Sequence, residues 1–318
     1  MTGSNKLVTF AALALLAPGT CLAADIRVGI VGTDSSHAVA FTQIFNDASF
    51  ASHVPGAKVI AAYKGGSNDI PKSYERVDGF AEQLNREWGV EIVPDIATLC
   101  SRVDAVLIES TDGRPHLEQA RQVLAWRKPM FIDKPLAVSL EDAREIARLA
   151  KVAQVPWFSS SSLRFSTLAM ELKFSDAKGY FVWGPGPLEG HHPMELAWYG
   201  IHSAELLFTL MGTGCQEVIR TFTSDADVTS CRWKDGRIGS MRVNRPYSEF
   251  GAVAFRPQEV VRSAPKPSTG YPELMREVVK FFATGVAPVS PEETLEIFEF
   301  MDAAQRSKEA GGTPQKLK

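Results

Sequence analysis

A turn of the form Gly32-Thr33-Asp34-Ser35-Ser36-His37 follows the apolar run Ile26–Val31. Such a turn holds the pyrophosphate of a dinucleotide when glycines fall at G-x-G-x-x-G spacing, for the tight bend, the close approach of phosphate and the packing of helix on strand. The three positions here read Gly32, Asp34 and His37. A carboxylate at the second would repel the pyrophosphate by ~1 kcal/mol at 4 Å in water, and by more once desolvated. Ser35 and Ser36 can donate hydrogen bonds, and His37 can become positive. Two readings stay open: a displaced dinucleotide site, or Asp34 or Ser35 serving only as a helix cap. After a second run, Lys58–Tyr63, the chain places Lys64 and Gly65-Gly66-Ser67 where NAD enzymes carry an acid on the ribose diol. Lysine and serine suit a 2′-phosphate, which puts NADP ahead of NAD; a solvated turn is the alternative. Further on, Asp133-Lys134-Pro135 leaves another apolar run, and His191-His192-x-x-Glu195 has two imidazoles and a carboxylate close together. Without a further ligand at diagnostic spacing, the latter is not assigned a metal. Trp198 and Tyr199 fit stacking on a sugar as well as core packing.

The elements that must carry these residues alternate regularly. Ala105–Glu109 is an apolar, β-branched run of the kind buried on both faces of a parallel sheet. Asp112-Gly113 breaks it, Pro115 suits a first helical turn, and Leu117, Ala120, Val123 and Leu124 recur at helical spacing. Met130–Ile132 is the next strand, so Lys134 lies at the carboxyl edge, where open parallel sheets bind ligands. Helices are expected over 38–46, 78–88 and, from the capping signal Ser139-x-x-Asp142, up to about Val152. The pattern predicts a doubly wound α/β domain over 25–155. From Pro156 the texture changes. A polar strand over 157–162, the loop Gly184-Pro185-Gly186-Pro187, a helix over 196–211 and closely spaced strands at 217–223 and 240–243 predict a second, α+β domain over 156–318 with a mixed or antiparallel sheet. Amphipathic helices at 271–282 and 292–310 close the chain.

With 318 residues, 45% of them hydrophobic, the chain can bury two cores. A net charge of −3 offers no basic face for nucleic acid. Residues 1–24 read as a secretory signal: Lys6, then the apolar LVTFAALALLA, then small residues around Ala23 and Ala24. The apolar run is too short to span a bilayer. A soluble, exported, periplasmic or secreted protein is expected. Cleavage leaves Cys100, Cys215 and Cys231; Cys215 with Cys231 is the sequence-local pair for a disulfide, with three free thiols the alternative.

His116-x-x-x-Ala120 followed by Lys128-Pro-x-Phe-Ile-Asp-Lys134-Pro-Leu-Ala137 resembles the Gfo/Idh/MocA family of nicotinamide-dependent oxidoreductases. Most members carry E-K-P where this chain has Asp133-Lys134-Pro135. The resemblance implies a Rossmann domain, a second α+β domain and a site in the cleft between them. It implies that Lys134 lies beside the nicotinamide ribose and the reacting hydroxyl, and that His116 lies near the cofactor unless it caps or packs. The family's D-x-x-x-H acid/base motif falls on Trp198-Tyr199-Gly200-Ile201-His202, so His202 is kept while Trp198 replaces the aspartate. Glu205, on the same helix face, could orient the ring, or be a packing acid. Arg164 resembles an arginine near the substrate.

The expected activity is NAD(P)-dependent oxidation or reduction of a secondary alcohol on a sugar or cyclitol, with Lys134 and His202 catalytic and copies meeting, if they do, through the second sheet. Two alternatives stand beside it. One is a redox-neutral glycoside lyase or hydrolase that recycles a tightly bound NAD(P). The other is a non-catalytic sugar-binding protein on a degenerate Rossmann frame.

Overall fold

The computed structural model describes residues 24–318. The signal segment expected over 1–24 therefore lies outside the described residues, apart from Ala24. Six strands form a parallel sheet in the order β3-β2-β1-β4-β5-β6: β1 Ile26–Val31, β2 Ala57–Tyr63, β3 Glu91–Val93, β4 Ala105–Ile108, β5 Met130–Asp133 and β6 Trp157–Ser160. The reversal of order at β1 and β4 makes it a Rossmann sheet. Strands β4 and β5 are buried along their whole length, as their apolar runs require. The connecting helices are α1 Ser36–Asn46, the single turn α2 Pro71–Tyr74, α3 Val77–Trp88, α4 Ile96–Cys100, α5 His116–Ala125 and α6 Leu140–Ala153. Ser139 caps α6, its Oγ accepting from the Asp142 amide at 3.1 Å.

One boundary differs from the sequence expectation. Trp157–Ser160 pairs in parallel with Met130–Asp133 and is fully buried, so it is the sixth strand of the first sheet and not the start of the second domain. Its polar text marks the sheet edge that faces the cleft.

After α7 (Thr167–Leu172), a seven-stranded mixed sheet follows in the order β12-β11-β7-β10-β9-β8-β13. Its strands are β7 Gly179–Pro185, β8 Cys215–Phe222, β9 Ala226–Trp233, β10 Ile238–Asn244, β11 Gly251–Phe255, β12 Val260–Arg262 and β13 Gln315–Lys316. Only β7 with β10 is parallel. Helix α8 (Ile201–Met211) covers β7 and β10, and α10 (Pro291–Glu309) covers β8. The outer face carries exposed Ile219, Ile238 and Phe255. Cys215 and Cys231 are joined between neighbouring strands β8 and β9, while Cys100 is a free thiol that burial pushes up to about 11. The remaining helix, α9 (Tyr271–Thr284), returns to the first domain: Leu274, Val278 and Phe281 pack with Val28, Phe41 and Phe158 in one core. That return places Tyr271 over the carboxyl edge of the first sheet.

Candidate active site

At the exit of β1, Gly32 sits at φ +99°, and a Cβ there would come within 2.4 Å of the Ser110 amide nitrogen. Glycine is required because the exits of β1 and β4 touch. The next residues turn inward. Thr33 and Asp34 are fully buried and Ser35 nearly so. Ser35 caps α1, its Oγ accepting from the His37 amide at 3.0 Å. Asp34 faces neither solvent nor cleft. Its carboxylate accepts from Ser73 Oγ at 2.6 Å and from the Thr111 amide at 3.3 Å. Burial raises its pKa, against the lowering pull of the Ser73 hydrogen bond. The expected repulsion of a pyrophosphate by Asp34 is thus corrected: the side chain is an internal tie between three loops.

The segment 65–73 completes this closure. It leaves β2, and Ser67 Oγ donates to Asp112 Oδ2 at 2.6 Å beyond β4. Arg114, from the same loop as Asp112, clasps Asp69 at 2.6 Å and Asp112 at 2.7 Å. Because β1 lies between β2 and β4 in the sheet, the segment crosses over the edge of β1 as a strap. Asp112 is held well below the usual carboxylate range: burial pushes it up, but hydrogen bonds from His192, Ser67 and Arg114 outweigh that. Lys64, expected at a 2′-phosphate, is instead exposed on the outer side and donates to Asp78 at 2.8 Å.

Between the domains lies a cavity of about 530 Å³. From the first domain, Ser36, His37, Thr111 and Lys134 face it, joined by Lys72 of the strap and Arg76 just after it. Lys134 Nζ is 3.3 Å from Asp133 Oδ2. His37 connects its Nδ1 to the same Asp133 oxygen at 2.8 Å and its Nε2 to the Tyr271 hydroxyl at 2.9 Å. Burial pushes Asp133 up, yet the charges of His37 and Lys134 prevail and hold it well below the usual range. Burial, with the charge of Asp133 beside it, pushes the Tyr271 phenol up. Behind Asp133 stands Glu109, fully buried, with no hydrogen-bond partner for either carboxylate oxygen among the described residues. Its pKa is raised, first by burial and then by Asp133.

From the second domain come Trp198, Tyr199 and His202. His202 is in the first turn of α8, and its Nδ1 lies 2.8 Å from Ser161 Oγ. Burial and then the charges of Lys134 and His37 hold the imidazole well below the ordinary histidine range. It is therefore neutral near pH 7. The edges of Tyr199 and Phe250 flank it, with ring centroids 5.2 and 5.7 Å away.

Other expected site residues lie elsewhere. Glu205 does not orient His202: it is buried on α8 and paired with Arg164 at 2.7 Å, and Arg164 also meets Glu293 at 2.5 Å. Arg164 does not line the cavity, and both its pairings are with these carboxylates. His116 is a packing residue, its fully buried ring spanning the Ser110 and Leu136 carbonyls at 3.0 and 3.2 Å. The His191-His192-x-x-Glu195 residues diverge. His192 meets Asp112 at 3.0 Å, His191 meets Glu189 at 2.7 Å, and Glu195 is held by Arg220 and Lys308. Sequence reasoning passed over Glu109, Asp133, Ser161 and Tyr271 as site residues. Glu109 and Asp133 had a signal, each an acid ending an apolar strand at the binding edge.

Residues 26–160 match the model of an oxidoreductase family with an NAD-binding Rossmann fold. The Salmonella typhimurium protein YceM, an oxidoreductase by name, is 30% identical over 93 residues, which span 29% of this chain and only 30% of that protein. Among solved structures, an Agrobacterium radiobacter oxidoreductase in complex with NAD+, L-tartaric acid and magnesium superposes with a TM-score of 0.74 at 15% identity, over 92% of this chain and 99% of that one. The myo-inositol dehydrogenase of Lactobacillus casei, in complex with NAD(H) and myo-inositol, gives 0.71 at 16% identity over 93% and 97%. At these identities the superpositions establish the fold across both domains. Residues 26–160 are thus similar to the Gfo/Idh/MocA oxidoreductases, whose family model describes an NAD-binding Rossmann fold.

Proposed function

We propose that this protein moves hydride between a nicotinamide cofactor and a secondary alcohol of a sugar or cyclitol held between Lys134 and His202. The observation that carries the reading is their pairing across one cavity: a lysine from the first domain faces a half-buried, neutral histidine from the second. With Nδ1–H donating to Ser161 Oγ, His202 keeps Nε2 free to take the hydroxyl proton. The Lys134 ammonium then steadies the alkoxide that develops. The nicotinamide, when bound, supplies the hydride acceptor or donor. Trp198 and Tyr199 offer aromatic surface to the C–H face of the substrate.

The residues fit the reacting end of a dinucleotide. Ser36, Thr111 and Lys134 line the cavity at the carboxyl edge of the sheet and would hold it there. The pyrophosphate turn lies under the strap, so the strap must move or the pyrophosphate must sit off the turn. That enclosure favours, as a second reading, a cofactor held tightly and recycled within each turnover of a glycoside lyase or hydrolase. A preference for NADP over NAD rests on Lys64, which Asp78 already engages.

The test is turnover of a polyol and glycoside panel with NAD+ and NADP+. Lys134→Ala and His202→Ala should each lose on the order of 10³-fold in rate, with thermal unfolding shifted by only a few degrees. Near-full activity in either variant would refute the site. Stoichiometric accumulation of reduced cofactor would separate the first reading from the redox-neutral one. Export is proposed from residues 1–24 alone. Protein recovered from cells should begin at Ala24 or Asp25; an intact Met1 on that protein rules export out.

A further inference from the structure

We propose that His37, Glu109 and Asp133 form a binding site for one first-row divalent cation at the floor of the cavity, a site that goes beyond the oxidoreductase reading. Each residue presents one ligand atom, and the three atoms lie within 4.8 Å of one another. They come from the exits of three different strands, β1, β4 and β5, and all three residues are buried. Ligand atoms about 2.0–2.2 Å from an ion are roughly 3–4 Å apart, so side-chain shifts of roughly 1–2 Å complete the set. The independent observation is Glu109. Its carboxylate is fully inside the protein, aimed into this cluster, with neither oxygen partnered. Protonation would not satisfy it, because the acid's O–H would itself need an acceptor. A cation satisfies Glu109 and shares Asp133.

The histidine is set up for the same role. If the Tyr271 hydroxyl accepts from Nε2–H at 2.9 Å, the Nδ1 lone pair faces Asp133 Oδ2 at 2.8 Å. In that tautomer Nδ1 has no hydrogen to give Asp133 and is free to ligate a cation. In the other tautomer Nδ1–H donates to Asp133, and the ion displaces that proton. An outer partner on the far ring nitrogen is the usual companion of a ligating histidine. One imidazole with two carboxylates suits Mn²⁺, Fe²⁺ or Zn²⁺. Lys134 is the competing charge, 3.3 Å from the same Asp133 oxygen, with a side chain that reaches the open cavity. Three protein ligands would leave coordination positions open for water or another oxygen ligand.

The experiment is calorimetric titration of the full chain, stripped with chelator, with Mn²⁺ and with Zn²⁺ in the absence of substrate and cofactor. One equivalent should bind. Glu109→Gln and His37→Gln should each weaken it by more than the roughly 10- to 100-fold that loss of an outer-shell partner costs. His191→Ala, at an exposed histidine beside Glu189, should change nothing. Lys134→Ala should bind at least as tightly as the wild type, since it removes the competing ammonium. No heat with either ion at millimolar concentration, or unchanged affinity in both Glu109→Gln and His37→Gln, would overturn the proposal. Should Glu109→Gln not fold, His37→Gln decides alone. Turnover plays no part in this measurement, so its failure would leave the Lys134–His202 reading standing, and the reverse.

Discussion

Asp34 and Glu109 are buried acids at the carboxyl edge of one sheet, at the exits of the neighbouring strands β1 and β4. Asp34 receives a hydroxyl from Ser73 and an amide from Thr111, and through them it ties the strap over the turn where a dinucleotide fold exposes its glycines. Glu109 receives nothing from the described residues. Two carboxylates with similar burial therefore serve opposite ends. The satisfied one closes a surface, and the unsatisfied one keeps a charge or a proton beside Lys134. Burial alone does not mark an acid as functional; the lack of a partner does. A third acid, Glu205, completes the series, because its partner is a full positive charge, Arg164.

Removing partners from the three should rank them. Arg164→Ala strands Glu205 and Glu293, and breaking such a buried pair costs about 3–5 kcal/mol; urea denaturation should show it. Asp34→Ala leaves the Ser73 hydroxyl and Thr111 amide unpaired, a loss of about 1–3 kcal/mol by the same measurement. Glu109→Gln, compared in metal-free buffer, should lie within about 0.5 kcal/mol of wild type or above it, since no hydrogen bond is lost. A Glu109→Gln loss as large as that of Asp34→Ala would break the comparison.

A separate effect is on pH dependence. The folded pKa of His202 is depressed, first by burial and then by Lys134 and His37. The unfolded chain takes up a proton below about pH 6.5 while the folded protein does not. Stability from this ring is thus complete above that value and falls as pH falls, with a slope of up to ~1.4 kcal/mol per unit. Glu109 and Asp34 act in the opposite sense, because their raised pKa values keep protons on the folded protein, and a variant comparison separates the two. His202→Gln should flatten the loss of stability between pH 7 and 5.5. An unchanged slope would show that the ring is not held neutral.

The α/β alternation and the strand exit carrying Lys134 were legible in the amino-acid order, and resemblance to a family motif pointed to the histidine of the W-Y-G-I-H stretch. Each depends on spacing within a few residues: unbroken apolar runs, caps and motif neighbours. The direction of Asp34, the pairing of Glu205 with Arg164 and the seat of His202 on Ser161 were not. Those partners lie 39 and 41 residues apart in the chain, and the strand order decides which of them meet. His37, Glu109 and Asp133 converge only because β1, β4 and β5 are neighbours in the sheet. Local periodicity sets which segments become strands and helices, whereas the partner of a buried charge is chosen by packing across the whole fold.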